Sequence, residues 1–549
     1  MALRSDLLAR GYLPENLPPL FVSRDLGPFA EANCSDYLTK GTIQTRASPY
    51  NATKRGHQRR LFAIPNPIAA INTALFISRH WDAINQHFNK SPFSASRPTT
   101  DRAGVRAITI TPHEELSHLR NDRMAASRYV VCTDISRFFP SIYTHALPWA
   151  FHSKAQSKAD HKPGSKTIFF NRLDHILRQA QDGQTIGIPV GPDTSRIIAE
   201  IVATAVDADF IVQARRKPAR TRRIPALLRH VDDIWIGART QDEAEDLLYT
   251  YRACLREYEL DINELKTSII SATRDIPHFW PKEIGDLLRA EFEQRPFGNS
   301  QVRGYERMFA LDRVFDLANR HNDDGIIKFA LRQLDDARAW SRHWDTLEPF
   351  MLRCFVNYPH SVDYIARVLA WRRRVGQSIN MSRWQSALTE FVEFHARLRN
   401  DSEVCWALWL ARELGAKIRG RAAELVVGDC GPMALTLLCD CIERRIVLSG
   451  LDQAGIQDRL GERPLSGQFW FFAYEALRRD WVDRYLFAQD PLYDFFQQLE
   501  SAGVSFFDPN ALPSALEGKE EEWEDTDAIE DIAGEYETDD GELEDMSDF

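Results

Sequence analysis

The pattern of apolar and polar positions changes about halfway along the chain. In the first half, short apolar runs alternate with helical segments, and the runs at residues 129–136 and 227–237 predict β-strands. Residues 194–210 carry apolar side chains at helical spacing, and Asp193 or Thr194 is suited to be the N-cap. The first half is therefore expected to be α+β.

In the second half, from about residue 300 to residue 500, apolar side chains recur at intervals of three and four residues. Val362, Ile365, Ala366 and Leu369 are one such group, which predicts a helix with one buried face. Stacked helix pairs are expected, and a regular solenoid stays open because no repeat motif can be aligned. The predicted domains are an N-terminal segment (1–40), an α+β domain (41–285), an all-α domain of helical hairpins (286–512) and a disordered acidic tail (513–549).

Composition narrows the class of protein. No apolar run is long enough to span a bilayer, and no signal segment opens the chain, so a soluble intracellular protein without membrane contact is expected. Eight cysteines are scattered, and the close pair Cys439 and Cys441 lacks the spacing of a metal or redox motif. Buried reduced thiols are the expected state.

The net charge of −11 is unevenly distributed. Residues 517–549 contain 17 acidic residues and one lysine, so the remaining chain is mildly basic. The segment at residues 215–223 is strongly basic and suits a phosphate backbone. Its basic residues are Arg215, Arg216, Lys217, Arg220, Arg222 and Arg223. An exposed loop, or a docking place for the acidic tail, is the alternative.

Three aspartates are candidates for metal binding. Asp134 comes at the end of one apolar strand, and Asp232 and Asp233 lie between two apolar runs, where a hairpin turn is expected. If the strand that ends at Asp134 neighbours this turn, the three carboxylates could place hard oxygen ligands around two Mg²⁺ ions. Phosphoryl transfer uses such an arrangement. An Asp-Asp turn on its own is common in solvated hairpins.

Four segments together resemble the palm of reverse transcriptases, in the same order. They are Thr133 to Phe139, Gly187 to Pro192, His230 to Asp233 and Ile262 to Thr267. The resemblance covers residues 40–280 and implies a right-hand polymerase with fingers and palm, followed by the helical domain and tail. It also implies that Asp134 and Asp232, with the backbone at Ile135, hold two Mg²⁺ ions, or Mn²⁺ in their place, and that Asp233 completes the site.

The same resemblance assigns residues around the incoming nucleotide. Ser136, Arg137 and Phe138 would lie along the triphosphate, and Phe139 would exclude a ribose 2′-hydroxyl and so select deoxynucleotides. For Phe139 the alternative is core packing. The resemblance also places two residues farther along the chain. Gly191 would let the nucleotide approach and Lys266 would meet the leaving phosphate, although a turn glycine and a solvated lysine are the ordinary roles.

The segment at residues 54–67 resembles the fingers segment that precedes the palm in reverse transcriptases. Lys54, Arg59 and Arg60 would grip phosphates, or else form a solvated loop. His230 replaces the usual tyrosine before the two aspartates and could still contact the primer end. Val190 stands where mobile-element enzymes usually have glutamine, so template reading is expected to be relaxed.

Residues 141–149 and 191–200 resemble the abortive-infection and defence-associated reverse transcriptases of bacteria. This implies a cytoplasmic antiphage enzyme that polymerises dNTPs, with DNA primed on the protein and covalently attached to it, made without a conventional template, or made on a noncoding RNA. A homo-oligomer or a partner defence protein is also implied. Three alternatives stay open: an RNA-templated enzyme of a retron-like or intron-like element, an RNA polymerase of similar palm, and a non-catalytic assembly protein.

Overall fold

The computed structural model describes residues 2–33, 43–54, 58–102, 104–216, 226–273, 280–292, 300–336, 339–450 and 452–512. The tail expected at 513–549 lies outside these residues. So do four residues of the basic segment, namely Lys217, Arg220, Arg222 and Arg223. Within the described ranges, no helix combines the length and apolar character that crossing a membrane requires.

The described part of the first half contains eight strands, four of which form a central sheet. These strands are β1 (Ser48–Thr53), β2 (Arg59–Ile64), β3 (Thr99–Thr100), β4 (Ile108–Thr109), β5 (Tyr129–Asp134), β6 (Ala226–His230), β7 (Asp233–Ala238) and β8 (Ser268–Ser271). Four of them form an antiparallel sheet in the order β6-β7-β5-β8. β1 pairs with β2 in a separate hairpin. The strands predicted from the apolar runs are confirmed, and β5 lies beside β7.

Helices surround this sheet. Those of the first half are α1 (Ala2–Ala9), α2 (Leu26–Asn33), α3 (Pro67–Arg79), α4 (Trp81–Phe88), α5 (His113–Met124), α6 (Phe138–Ser141), α7 (Ala146–His152), α8 (Lys154–Ala159), α9 (Phe170–Gln179), α10 (Asp193–Arg216) and α11 (Gln241–Glu257). α10 begins at Asp193, whereas Asp193 or Thr194 was predicted to be the N-cap residue that precedes the helix. The Asp193 carboxylate accepts the N–H groups of Ala107 and Ile108 instead of capping the helix.

The second half is helical, as predicted. Its helices are α12 (Trp280–Phe292), α13 (Ser300–His321), α14 (Gly325–Asp336), α15 (Ala339–Arg342), α16 (Trp344–Asn357), α17 (Val362–Arg374), α18 (Met381–Arg397), α19 (Asp401–Leu414), α20 (Gly420–Asp429), α21 (Pro432–Glu443), α22 (Gln453–Leu460), α23 (Trp470–Arg478) and α24 (Tyr493–Ser501). The apolar group from Val362 to Leu369 is buried on α17. One departure from an all-α domain is a short parallel pair, β9 (Ile418–Arg419) and β10 (Val447–Leu448).

One hydrophobic core runs through both halves. The N-terminal segment packs against the end of the described chain, where the Val22 N–H donates to the Phe506 carbonyl at 3.1 Å. On α23, the Trp470 indole N–H donates to the carbonyl of Ile64 on β2 at 3.2 Å. The predicted division at residues 40 and 285 therefore does not separate independent cores. The seven cysteines among the described residues are buried and free of disulfides.

Candidate functional site

Asp134 ends the central strand β5 and is buried, with 6% of its surface exposed. It lies opposite Asp233 in the register between β5 and β7. The backbone here is fixed from two sides, because the Asn263 N–H donates to the Asp134 carbonyl at 2.9 Å and the Ile135 N–H donates to the Asp232 carbonyl at 3.0 Å. The sheet thus places Asp134, Asp232 and Asp233 together, where β5 ends and β7 begins.

Asp232 lies in a two-residue turn between β6 and β7, after Val231. Val231 has a φ of +52°, which is unfavourable for a β-branched residue. Two hydrogen bonds hold it there: its N–H donates to the Ser96 hydroxyl, and its carbonyl accepts from Arg229 at 3.2 Å. The surrounding structure therefore imposes the turn that carries Asp232.

Arg229 is fully buried beneath this turn. Its guanidinium forms a bidentate ion pair with Glu200 of α10 at 2.8 and 2.9 Å and a third contact with Asp207 at 2.9 Å. Burial alone would lower the pKa of Arg229, but the carboxylates of Asp207 and Glu200 raise it well above its ordinary value. The Tyr251 hydroxyl completes the network by donating to Asp207 at 2.9 Å. This ionic network links the turn that carries Asp232 to α10 and was not predicted from the sequence.

Lys266 lies in a short 3₁₀ helix, Glu264–Lys266. Its ammonium group is 3.3 Å from the Asp134 carboxylate. The segment is held in place by Arg252, which forms ion pairs with Asp261 at 2.8 Å and Glu264 at 2.6 Å. The structure therefore brings the predicted Lys266 to the predicted Asp134.

The turn after Asp134 places its side chains in different environments. Arg137 is exposed in the left-handed region, with a φ of 47°, and Ser136 is half-buried. Phe139 is half-buried, and its carbonyl accepts the Ile188 N–H at 3.0 Å. Phe138 differs from its predicted role at the triphosphate, because it is 3% exposed and packs in the core.

Gly191 meets the N-terminal segment. It has a φ of +120°, and a Cβ built there would lie 2.9 Å from Pro14 and 3.3 Å from Phe62. Arg106 fixes this junction by donating to the carbonyls of Leu13 at 2.7 Å and Gly191 at 3.1 Å. Packing against the N-terminal segment therefore requires a glycine at this position. This is a second reason for the glycine, besides the predicted close approach of a nucleotide.

The basic residues of the fingers segment lie on the β1–β2 hairpin. Lys54 follows β1 and is half-buried, and Arg60 is half-buried on β2. Arg59 differs from its predicted role in phosphate binding. Its guanidinium is engaged by both carboxylate oxygens of Glu403 on α19 and by Asn51, so it connects β2 to the helical half.

His230 is 7% exposed, and a ring nitrogen lies 3.2 Å from the Thr111 carbonyl. This burial differs from the predicted contact with a primer end and gives the ring a structural partner. Of the basic segment, Arg215 and Arg216 are exposed in the last turn of α10. Both are therefore accessible to a polyanion.

The carboxylates fit a divalent metal by donor chemistry and by strand register, since hard oxygen atoms are the preferred ligands of Mg²⁺. Asp134 and Asp233 are direct cross-strand neighbours, and the Lys266 ammonium beside Asp134 marks a position that favours positive charge. Among the described residues, however, no three His, Cys, Asp or Glu side chains are grouped closely enough to hold an ion.

Comparison with known proteins identifies the α+β half. Residues 57–297 match the family described as "Reverse transcriptase (RNA-dependent DNA polymerase)". The match agrees with the reverse-transcriptase fold predicted for this half, and it extends to residue 297, beyond the end of α12. No curated protein sequence matches the chain.

Solved telomerases show a low structural likeness. Telomerase from Candida albicans, in complex with a fragment of telomeric RNA, is 10% identical over 62% of this chain and 67% of that chain, with a TM-score of 0.29. Apo telomerase from Candida tropicalis is 12% identical over 79% and 72%, with a TM-score of 0.28. Similarity at this level supports no inference about this chain.

Proposed function

We propose that this chain is an RNA-directed DNA polymerase that joins deoxynucleoside triphosphates into DNA at Asp134, Asp232 and Asp233. The match of residues 57–297 to the reverse-transcriptase family supports this activity. The observation that carries the proposal is the cross-strand pairing of Asp134, at the end of β5, with Asp233, at the start of β7. Asp232 lies in the adjoining turn. Three carboxylates on adjacent rigid strands can hold position and charge for an in-line phosphoryl transfer.

The residues of this chain then have separate tasks. Asp134, Asp232 and Asp233 would hold two Mg²⁺ ions, which when bound activate a primer hydroxyl and stabilise the pyrophosphate leaving group. The backbone at Ile135 and Ser136 is fixed by bonds to residues 232 and 261 and would support the triphosphate. No covalent intermediate with the protein is needed for this transfer.

Lys266 would donate a proton or a hydrogen bond to the departing phosphate. Its ammonium group already lies at the Asp134 carboxylate, 3.3 Å away, so a modest rotation of a flexible side chain would move it toward a bound nucleotide. Phe139 would exclude a 2′-hydroxyl from the same site. Its half-buried side chain and backbone bond to Ile188 support a fixed wall there.

We also propose that this DNA synthesis serves defence against phage. The resemblance of residues 141–149 and 191–200 to bacterial defence enzymes supports this assignment. The helical second half supports it too, because the enzymes that these segments resemble couple a polymerase half to a domain of helical hairpins, and helices α12 to α24 fill this part of the chain. Priming on the protein, synthesis without a conventional template and copying of a noncoding RNA are three forms of the same proposal. Sequencing of the nucleic acid that remains bound to the purified protein separates them.

The direct test is incubation of the purified protein with Mg²⁺ and dNTPs, with and without its co-purified RNA. Polymer should form, and Asp232→Asn should reduce the rate by at least about a hundredfold, because one ligand charge is lost at unchanged side-chain size. Asp242→Asn is the matched control, since Asp242 is exposed at the start of α11. Absence of polymer from the wild-type protein would contradict the proposal.

The defence role is tested separately, in cells challenged with phage. Wild-type protein should reduce phage plating, and Asp232→Asn should not. Full protection by the Asp232→Asn variant would show that the palm is a scaffold, even if polymerisation occurs in the test tube.

A further inference from the structure

A cavity of about 440 Å³ lies between α3, α9 and the loop that precedes α9. None of its lining residues belongs to the sheet that carries the carboxylates. They are Leu75, Phe76, Arg79, His80, Pro163, Gly164, Ser165, Phe169, Arg172 and Ile176. A volume of this size falls within the range of small-molecule binding sites. The cavity is therefore a candidate site distinct from the polymerase centre.

The lining is cationic. Arg79 and Arg172 contribute guanidinium groups from two different helices, and the lining contains no acidic residue. Burial lowers the pKa of Arg172, whose side chain is half-buried, whereas Arg79 is exposed. The acid of the adjoining loop, Asp160, accepts the Lys162 N–H at 3.0 Å within that loop. A phosphate is the anion that best matches two guanidinium forks.

The lining is also aromatic. The rings of His80 and Phe169 are stacked with centroids 4.4 Å apart, and Phe76 lies 4.6 Å from His80. Burial, and then the charge of Arg79, lower the pKa of His80. The lower pKa favours the neutral His80 ring, which offers one donor and one acceptor to a ligand. Aromatic faces beside guanidinium groups are the combination that binds a nucleobase and its phosphate.

The loop wall of the cavity is held by its own hydrogen bonds. The Ile168 N–H donates to the Ser165 hydroxyl at 2.9 Å, and the Asn171 amide donates to the Asp160 carbonyl at 2.7 Å. At Gly164, no other group lies within 4 Å of the position of a Cβ, so the loop leaves open space there. The wall is thus preformed, and a ligand need not order it.

We propose that this cavity binds a nucleoside phosphate, with the base against Phe169 and His80 and the phosphate on Arg79 and Arg172. The ligand is either a free nucleotide or one residue of a single-stranded nucleic acid, because both present the same base and phosphate. The site does not depend on the proposed polymerisation, and it gives the enzyme a second nucleotide contact that uses none of the three aspartates.

The test is photo-crosslinking of the full-length protein, in EDTA to suppress nucleotide binding that requires a divalent metal. One arm uses 8-azidoadenosine monophosphate, and the other uses a single-stranded oligodeoxynucleotide that contains 5-iodouracil. Mass spectrometry should find the crosslink in peptides that cover residues 75–80 or 163–172. A crosslink from the first probe identifies a free nucleotide, and one from the second identifies a strand. No crosslink to these peptides from either probe overturns the proposal.

Charge removal provides the second measurement. Arg79→Gln combined with Arg172→Gln should lower the crosslink yield at subsaturating probe by at least about tenfold, because two charge-assisted contacts are lost. Arg419→Gln combined with Arg421→Gln is the matched control, since both arginines are exposed in the helical half and the change in net charge is equal. An equal loss in the control pair would reveal non-specific attraction and overturn the proposal.

Discussion

At the scale of single residues, a buried charge lies directly beneath the turn that carries Asp232. Arg229 has no exposed surface, yet it bonds two acidic side chains and the carbonyl of Val231. A guanidinium is suited to this role because its planar fork can satisfy several acceptors at fixed angles. Arg229 is therefore a positioning residue for the turn that carries Asp232.

Replacing Arg229 tests this role. Arg229→Met should lower the free energy of unfolding by about 3–5 kcal/mol, because Glu200 and Asp207 are left buried without their cation. Urea unfolding measures this cost. A triple variant, Arg229→Met with Glu200→Leu and Asp207→Leu, should recover most of the stability but not kcat, since the Val231 carbonyl still lacks its donor. Recovery of kcat in the triple variant would show that Arg229 serves stability alone.

Phe139 offers a second residue-scale test. Phe139→Ala should raise kcat/KM for ribonucleotides relative to deoxynucleotides, because the wall against a 2′-hydroxyl is removed. Its neighbour is the control, since Phe138 is in the core. Phe138→Ala should cost about 3–5 kcal/mol of stability and leave the ratio unchanged. An unchanged ratio in Phe139→Ala would favour a packing role or an RNA polymerase.

At the scale of elements, the loop before α10 and the N-terminal segment form one unit. Arg106 bonds the carbonyls of Leu13 and Gly191, and Pro14 occupies the space beside Gly191. Both sides of the glycine are therefore constrained, since its φ of +120° also excludes most side chains. The N-terminal segment thereby buttresses a loop of the proposed nucleotide site.

Gly191→Ala should destabilise the protein by about 1–3 kcal/mol through backbone strain and the contact with Pro14. It should also raise KM for dNTPs. Adding Pro14→Ala relieves the contact but not the strain, so it should recover part of the stability, as thermal unfolding can measure. If the second change also restores KM completely, the glycine serves packing alone. If KM stays high, the nucleotide itself needs the space.

At the scale of the whole molecule, the helical half braces the fingers hairpin. Asp401, the first residue of α19, accepts the N–H of Asn51 on β1 at 3.1 Å and that of Gly431 at 2.6 Å. Arg59 on β2 pairs with Glu403 of the same helix. Two adjacent strands are therefore tied to one helix through charged groups.

Burial raises the pKa of Asp401 to about 6, above its ordinary value of 3.8. The folded protein therefore holds a proton between about pH 4 and pH 6 that the unfolded chain releases. Asp401 should stabilise the fold most below pH 4, and this stabilisation should be lost as the pH rises through 6. Asp401→Asn should remove this part of the pH dependence in urea unfolding. Asp458→Asn, at an exposed position, should not, and equal profiles for all three proteins would contradict the assignment.

Local pattern predicted much of this architecture. The apolar runs gave β5 and the β6–β7 hairpin, and the spacing in Val362 to Leu369 gave α17, because the period of side-chain burial depends on local geometry alone. The carboxylates were found for a similar reason, since each lies where an apolar run ends. The roles of individual side chains were predicted less well: Phe138 is in the core and His230 is buried, and neither fact can be read from a neighbouring residue.

The sequence by itself thus determined the order of elements, the α+β and helical halves, and the position of Asp134 and Asp233 at strand ends with Asp232 in the turn between two strands. Only the tertiary structure decided which charged groups serve the site and which hold the fold. Arg59 is engaged by Glu403, and Arg229 is buried with Glu200 and Asp207. The physical reason is that an ion pair depends on where distant segments meet, and a basic side chain has the same local pattern whether it faces a phosphate or a buried carboxylate.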